Sequence, residues 1–282
     1  MESAAKYDFT IIMAVYQVQE FLAEAVDSVI AQDYPFERVQ IILVDDGSTD
    51  RSGEIGDEYA AKYPNILSLH KENGRQASAR NLGLQYAEGE IINFMDPDDK
   101  LSRNTLTQVR RFFDMHGEET DIAAIPMFHF GAMLGPHWQN TKFSKGTRVI
   151  DLITEYTVQQ ASSSSAFFHS RVKHLMHFDE RLPNCEDLRM NLGILLRRPT
   201  LGVVAGCRYM YRKRPGGGST VDSLKSRKSW YFDSYTYLSE AVCDEARQLH
   251  GYVPYFVQYA ILCDLQWRFK DDYAVLMAEV LT

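Results

Sequence analysis

The chain has 282 residues, 45% of them hydrophobic and 24% charged, which suits one large α/β domain or a domain with a small appendage. Its formal net charge of −8 argues against non-specific nucleic-acid binding, which relies on Lys and Arg neutralising phosphates, but allows a local basic pocket for a diphosphate. Cys185, Cys207, Cys243 and Cys263 are scattered without a C-x-x-C pair, so they read as thiols in a reducing compartment rather than as a zinc site or disulfide framework.

Phe9 to Val15 is a β-branched run suited to a buried strand, and the apolar spacing from Phe21 to Ile30 is helical. Val39 to Val44 forms a second strand, ended by Asp45-Asp46-Gly47-Ser48. A helix from about Asp50 to Tyr63 follows, with Thr49 or Asp50 as its cap. Ile66 to His70 is a third strand, and Ser78 to Ala87 a short helix closed by Gly89. Ile91 to Met95 is a fourth strand running into Asp96-Pro97-Asp98-Asp99, with a helix from Leu101 to His116 beyond it.

This alternation predicts an α/β fold with a mostly parallel sheet and helices on both faces. Ligands of such sheets sit beyond the carboxyl ends of the strands, where both acidic clusters fall. The second half is less regular. Strands are expected over Ile122 to Phe130, Ser162 to Phe168 and Gly202 to Tyr211, with an excursion or hairpin over 131–148. Arg214-Pro215-Gly216-Gly217-Gly218-Ser219 is a strong loop signal, and a helical, aromatic pattern follows from about Leu224. That pattern is still apolar at Thr282, so a longer natural chain is expected. The aromatic residues of this tail are expected in the core or an interdomain contact.

The N-terminus carries no secretory signal, and no apolar run reaches the length of a membrane span. The expectation is a cytoplasmic protein, with the inner face of the membrane as a further location and peripheral association left open. Oligomeric state is not legible.

Carboxylates clustered at Asp96 and Asp98 suit a hard divalent cation, Mg²⁺ or Mn²⁺, while a solvated acidic turn before a helix explains them equally. Asp46 is placed to accept from the N3–H of a uracil ring, or to serve the turn beside Asp50. Tyr16, ending the first strand, reads as a base-stacking ring or as core. Asn73, Gly74 and Arg75 lead to Arg80 near a helix start, a place that holds phosphate. Glu186 and Asp187 precede a helical run, so one is a candidate base, although an acidic first turn accounts for both. Arg212 and Arg214, with Ser219 in the glycine-rich segment, read as a basic loop that closes over a diphosphate or as a solvated turn.

The segments FTIIMAVYQ, ILVDDGSTD, NGRQASARNLGL, AEGEIINFMDPDD and CEDLRMNLGIL resemble family 2 inverting glycosyltransferases of the GT-A fold. The resemblance is specific over residues 9–100, weaker to about 215 and faint beyond. Bacterial enzymes of wall teichoic acid and capsular polysaccharide are its nearest part. It implies a GT-A catalytic domain over 1–222, with a donor half near 1–100 and an acceptor half near 101–222, then a helical segment over 223–282.

The resemblance further implies a UDP-sugar donor, with Ala14 and Tyr16 bordering the uracil and Asp46 contacting it. Asn73 and Arg80 lie on the donor side, Asp96 faces ribose and metal, and Asp98 ligates the metal. Asp187 is the general base and Glu186 its less favoured neighbour. The acceptor is a glycan or polyol-phosphate polymer, lipid-linked forms included, and one displacement inverts the anomeric centre. The sequence departs from the family in Ala14 where proline is usual, in Gln19 where an acid is frequent, and in lacking a histidine near Gly218. Two rivals are a nucleotidyltransferase, disfavoured because no glycine-rich basic loop follows the first strand, and a catalytically inactive carbohydrate-binding relative.

Overall fold

The computed structural model describes residues 5–214 and 228–268. In chain order the first half runs β1 (Tyr7–Val15), α1 (Leu22–Ile30), β2 (Val39–Asp45), α2 (Ser52–Lys62), β3 (Ile66–His70), α3 (Arg75–Gln85), β4 (Gly89–Phe94), β5 (Lys100–Leu101) and α4 (Thr105–His116). There follow β6 (Ile122–Ala124), β7 (Met127–Gly131), β8 (Gly135–Pro136), β9 (Arg148–Asp151), β10 (Ala166–His169), α5 (Glu186–Arg197), β11 (Thr200–Val203) and β12 (Tyr209–Lys213). The last described helices are α6 (Lys228–Asp233), α7 (Ala241–His250) and α8 (Tyr255–Leu265).

The main sheet has the order β3-β2-β1-β4-β10-β6-β11-β9. β1 to β4 are mutually parallel where they pair, and β10 runs antiparallel to both β4 and β6. Every residue of β2 is buried, as expected for a strand covered on both faces. Alternate side chains divide into two cores. Phe9, Ile11 and Met13 pack with α1 and α4 on one face, while Ile12, Ile42 and Val44 pack with α3 and α5 on the other. α1 buries Leu22, Ala25, Val26 and Val29, and each large side chain so buried stabilises the fold by about 1.5–3 kcal/mol. A charge at Val26 would break that seam.

Gly83 lets α3 lie close on the sheet, since a Cβ there would stand 2.5 Å from a methyl of Ile12. This close seating brings Arg80, on the same helix, down to the strand ends. The C-terminal helices share the second core, contributing Leu238, Val242, Phe256, Val257, Ala260 and Ile261. Among the tail aromatics Trp230 and Phe256 are buried as expected, whereas Phe232, Tyr235 and Tyr255 are exposed.

Several boundaries differ from the sequence-based expectation. The strand over Ile122 to Phe130 is two strands in two sheets, and so is that over Gly202 to Tyr211. Pro126 has no N–H to continue the first ladder, and its carbonyl instead accepts from Tyr209 N–H. β7 and β12 leave together and pair in parallel in a smaller sheet of order β5-β12-β7-β8. Gly89 opens β4 rather than closing a helix, and α3 begins three residues before Ser78. The helix expected from Leu101 begins at Thr105, because Lys100 and Leu101 pair with β12. Asp50 serves as an end group for α2, its carboxylate accepting from Ser52 N–H at 3.0 Å, while Thr49 accepts from the Gln17 side chain.

Candidate active site

The carboxyl ends of β1, β2 and β4 open onto one crevice. The chain enters it after β1 at Tyr16, half exposed, and Gln17 then takes a left-handed backbone, φ 53°. Ala14 lies partly buried two residues before Tyr16, in register with Val44 of β2. Asp46 follows β2 and is buried, its backbone N–H donating to Val15 O at 2.8 Å. Its Oδ1 accepts from Lys71 Nζ at 2.7 Å and from Gly74 N–H at 2.9 Å, while Asn73 Nδ2 donates to its carbonyl at 3.0 Å. Gly47 has φ +74° and sits where a Cβ would come within 2.9 Å of Asn73 N, so the two loops close on each other.

Arg80 is the hub. Its side chain is only 3% exposed, yet it meets three carboxylates. Nη1 donates to Asp187 at 2.6 Å and to Glu186 at 3.3 Å, and Nη2 donates to Asp96 at 2.9 Å. The guanidinium lies 5.1 Å from the centre of the Phe178 ring, a cation–π contact on its remaining side. Burial acts against the charged form, but Asp187, Asp96 and Glu186 outweigh it and hold the guanidinium firmly protonated. Gln76 Nε2 also donates to Asp96 Oδ1 at 3.0 Å. Contacts therefore run from Asp46 through Gly74 and the start of α3 to Asp96, then through Arg80 to Glu186 and Asp187.

Two carboxyls in this cluster are pushed upward. Asp96 rises to about 6, chiefly through burial, with the charges of Asp98 and Asp187 adding to it against Arg80. Glu186 rises to about 7, through burial and then the neighbouring charge of Asp187. Asp99, fully buried, is raised well above the usual carboxylate range by burial and by Asp96 and Asp98. Burial first, and then mutual repulsion among these carboxyls, thus oppose ionisation at the end of β4. Asp187 has both oxygens engaged, Oδ1 by Arg80 and Oδ2 by Ser163 N–H at 2.9 Å. An ionised carboxylate offers about four acceptor sites, so these bonds fix its direction without exhausting it.

The turn Asp96–Asp99 is held from the second sheet. Tyr209 Oη accepts the Asp96 N–H at 3.1 Å, and Asp99 Oδ1 accepts the Arg212 N–H at 2.7 Å. Arg212 lies in β12, not in the loop expected from the sequence. Its Nε donates to Asp98 O at 2.7 Å, it pairs with Glu24, and its guanidinium stacks on Phe21 and Phe130. Its side chain thereby braces the acidic turn. Arg214 reaches Asp98 Oδ2 at 2.6 Å, so it does stand at the predicted metal position. Ser219 lies outside the described residues.

Cys185, immediately before Glu186, also has a left-handed backbone, φ 66°, as does Arg75 at the start of α3. With Gln17 these are the non-glycine residues of positive φ among those described, and all three border this crevice. Such conformations cost about 1–3 kcal/mol each and persist where surrounding structure imposes them. Around Cys185 the imposing contacts come from the tail. Its Sγ donates to Asp264 at 3.1 Å, and Ser234 Oγ donates to Asn184 Oδ1 at 3.3 Å. Sequence reasoning missed Gln76, Ser163, Tyr209 and Asp264. Gln76 lies inside the quoted NGRQASARN segment, whereas the others carry no local signal.

The family model for glycosyl transferase family 2 matches residues 10–175. The chain belongs to glycosyl transferase family 2. The minor teichoic acid biosynthesis protein GgaB of Bacillus subtilis is 39% identical over 268 residues, 95% of this chain and 30% of GgaB. The minor teichoic acid biosynthesis protein GgaA of the same organism is 35% identical over 237 residues, 82% of this chain and 52% of GgaA. The chain thus spans about half or less of these curated relatives. The crystal structure of S. aureus TarS 1-349 in complex with UDP-GlcNAc superposes with a TM-score of 0.72 at 20% identity, over 95% of this chain and 78% of that one. This likeness establishes the GT-A-like fold for the family 2 domain. Among the described residues no helix is long and apolar enough to cross a membrane.

The cation implied by the family meets a suitable donor set. Among the described residues no group of three or more His, Cys, Asp or Glu could hold a metal. Mg²⁺ and Mn²⁺ do not need one, since they typically take one or two carboxylates with waters and substrate phosphates. Asp96 and Asp98, two carboxylates in the turn after β4 now paired with Arg80 and Arg214, fit that description.

Proposed function

We propose that this family 2 domain transfers a sugar from a UDP-sugar to a hydroxyl of a polyol-phosphate polymer or related cell-surface glycan, with inversion at the anomeric carbon. The observation that carries this reading is the Arg80 cluster, which ties the acidic turn after β4 to the Glu186–Asp187 pair. The printed names of GgaB and GgaA support a teichoic acid acceptor, and the UDP-GlcNAc in the TarS structure supports the donor class.

Tyr16 stacks on the uracil ring, bordered by Ala14, and Asp46 accepts its N3–H. Asn73 holds the loop that carries Asp46 in place. Asp96 and Asp98 would hold Mn²⁺ or Mg²⁺, which would supply charge neutralisation at the diphosphate. Arg214 leaves Asp98 for the diphosphate and stabilises the leaving group, and Ser219 is a further donor-side residue of this reading. Arg212 keeps the acidic turn in place while this happens.

Asp187 accepts the proton of the acceptor hydroxyl as its oxygen attacks the anomeric carbon. The attack comes from the face opposite the departing UDP, so the new C–O bond forms as the C–O bond to phosphate breaks. Arg80 and the Ser163 N–H aim the carboxylate. Burial pushes the Glu186 carboxyl up to about 7, so it gives up its proton less readily than an ordinary glutamate.

The test is Asp187→Asn assayed with a panel of UDP-sugars and a polyol-phosphate acceptor. Transfer should fall by about 10²–10⁴, the range for loss of a general base, while UDP affinity stays within about twofold. Product analysis by NMR should give the inverted anomer. Turnover of the variant at the wild-type rate would remove Asp187 from this role, and a retained anomer would remove the single-displacement mechanism.

A further inference from the structure

A second cavity, of about 510 Å³, lies on the flank of α5 and shares no lining residue with the Arg80 cluster. Its lining joins Met190, Gly193 and Leu175 to Arg181, Arg189, Arg197, His174 and His177. On a chain with a net charge of −8 this is a local concentration of cationic and hydrogen-donating groups. Two acids face them. Asp179 pairs with Arg181 at 2.6 Å, and Glu245 of α7 is shared between Arg189 at 2.7 Å and Arg197 at 2.6 Å. Three guanidiniums against two carboxylates leave an excess of positive charge before either histidine is protonated.

The geometry of the donors matters as much as the charge. A guanidinium carries five N–H groups, and one carboxylate shared by two guanidiniums cannot occupy them all. Arg197 spends a further N–H on Gly193 O at 2.7 Å. Arg181 is additionally seated 4.2 Å from the centre of the Tyr237 ring, which fixes its plane at the cavity. Fixed, partly used guanidinium forks around an open cavity suit a tetrahedral oxyanion better than a neutral sugar.

We propose that this cavity binds a phosphate group of the acceptor chain, several bonds away from the hydroxyl that reacts. The proposal rests on the polyol-phosphate acceptor inferred above and deepens it. α5 itself provides the connection, because it carries Asp187 in its first turn and the cavity wall from Arg189 onward. At 1.5 Å per residue Gly193 lies about 9 Å, and Arg197 about 15 Å, farther along the helix axis than Asp187. A single acceptor unit at Asp187 leaves the cavity empty, whereas a longer chain passing the start of α5 reaches it. The cavity therefore favours polymer over monomer without contributing to the bond-making step.

The experiment compares wild-type protein with Arg181→Gln, Arg197→Gln and His177→Gln. Transfer is measured from a UDP-sugar to a long polyol-phosphate polymer and to a single polyol-phosphate unit. Direct binding of a glycerol-phosphate oligomer is followed by calorimetry on the UDP-saturated protein. Each arginine variant should raise KM for the polymer by about tenfold, the loss of one charge-assisted hydrogen bond, with kcat kept. KM for the single unit and the rate of UDP-sugar hydrolysis should not move. Oligomer binding that is equal in wild type and variants would overturn the cavity assignment and leave the acceptor reading intact. No oligomer binding by the wild type, with UDP-sugar hydrolysis retained, would overturn both. Anionic phospholipid vesicles that bind wild type but not the variants, while polymer kinetics stay unchanged, would reassign the cavity to a membrane surface.

Discussion

Replacing Arg80 by Met keeps much of the side-chain volume and removes the charge that Asp96, Glu186 and Asp187 share. Breaking a buried ion pair by deleting one partner costs about 3–5 kcal/mol, because the surviving charge is left without compensation. Here one guanidinium serves three carboxylates, so the loss approaches that range near pH 8, above the values of about 6 and about 7 that Asp96 and Glu186 hold in the wild type. It is a large part of the roughly 5–15 kcal/mol that holds a domain together. Near pH 5 the loss should shrink by more than about 1 kcal/mol. Asp96 and Glu186 already sit at about 6 and about 7 with Arg80 present, and they protonate more readily without it. Arg80→Lys should recover little, since one ammonium cannot span the positions that Nη1 and Nη2 occupy. Urea denaturation of wild type and both variants at the two pH values measures this. A loss below about 1 kcal/mol, equal at both, would show that Arg80 does not compensate the carboxylates as described.

Glu186→Gln should make stability less dependent on pH. The folded protein keeps the Glu186 proton up to about 7, whereas an unfolded chain releases it near the ordinary glutamate value. Wild-type stability therefore falls as pH rises through that window, by up to about 3 kcal/mol from this group. The variant should lose that fall, as read from unfolding midpoints across the window. Tyr16→Ala should weaken UDP by about 1–3 kcal/mol, the worth of a stacked base, without changing the unfolding midpoint, because the ring is half exposed. Equal UDP affinity by calorimetry would take Tyr16 out of the base site. Asp264→Ala should lower kcat several-fold at constant donor KM, because it frees Cys185 and the backbone that aims Glu186 and Asp187. A change in donor KM alone would point to a different role.

The first hundred residues were legible because strand and helix there alternate with clear periods and end in acidic turns. The runs over Phe9 to Val15, Val39 to Val44 and Ile66 to His70 all lie in the parallel part of the sheet. Asp96, Glu186 and Asp187 come together through Arg80, a residue the sequence placed only near phosphate. The second half resisted reading because its strands are three to five residues long and change sheets. Nothing local announces that Pro126 and the turn after Val203 release two strands into a separate sheet. Arg212 shows the same limit. A basic residue beside a glycine-rich segment looks like part of a loop, but its role is set by Phe21, Glu24 and Asp98, more than a hundred residues away. The contacts of Ser163 and Asp264 with the Glu186 loop are tertiary in the same sense.

The most direct measurement is a calorimetric titration of UDP into the wild-type protein and Asp98→Ala, each with and without Mn²⁺. The account predicts that manganese strengthens UDP binding to the wild type, and that Asp98→Ala abolishes this gain while remaining folded. UDP affinity that ignores both the cation and the substitution would contradict it.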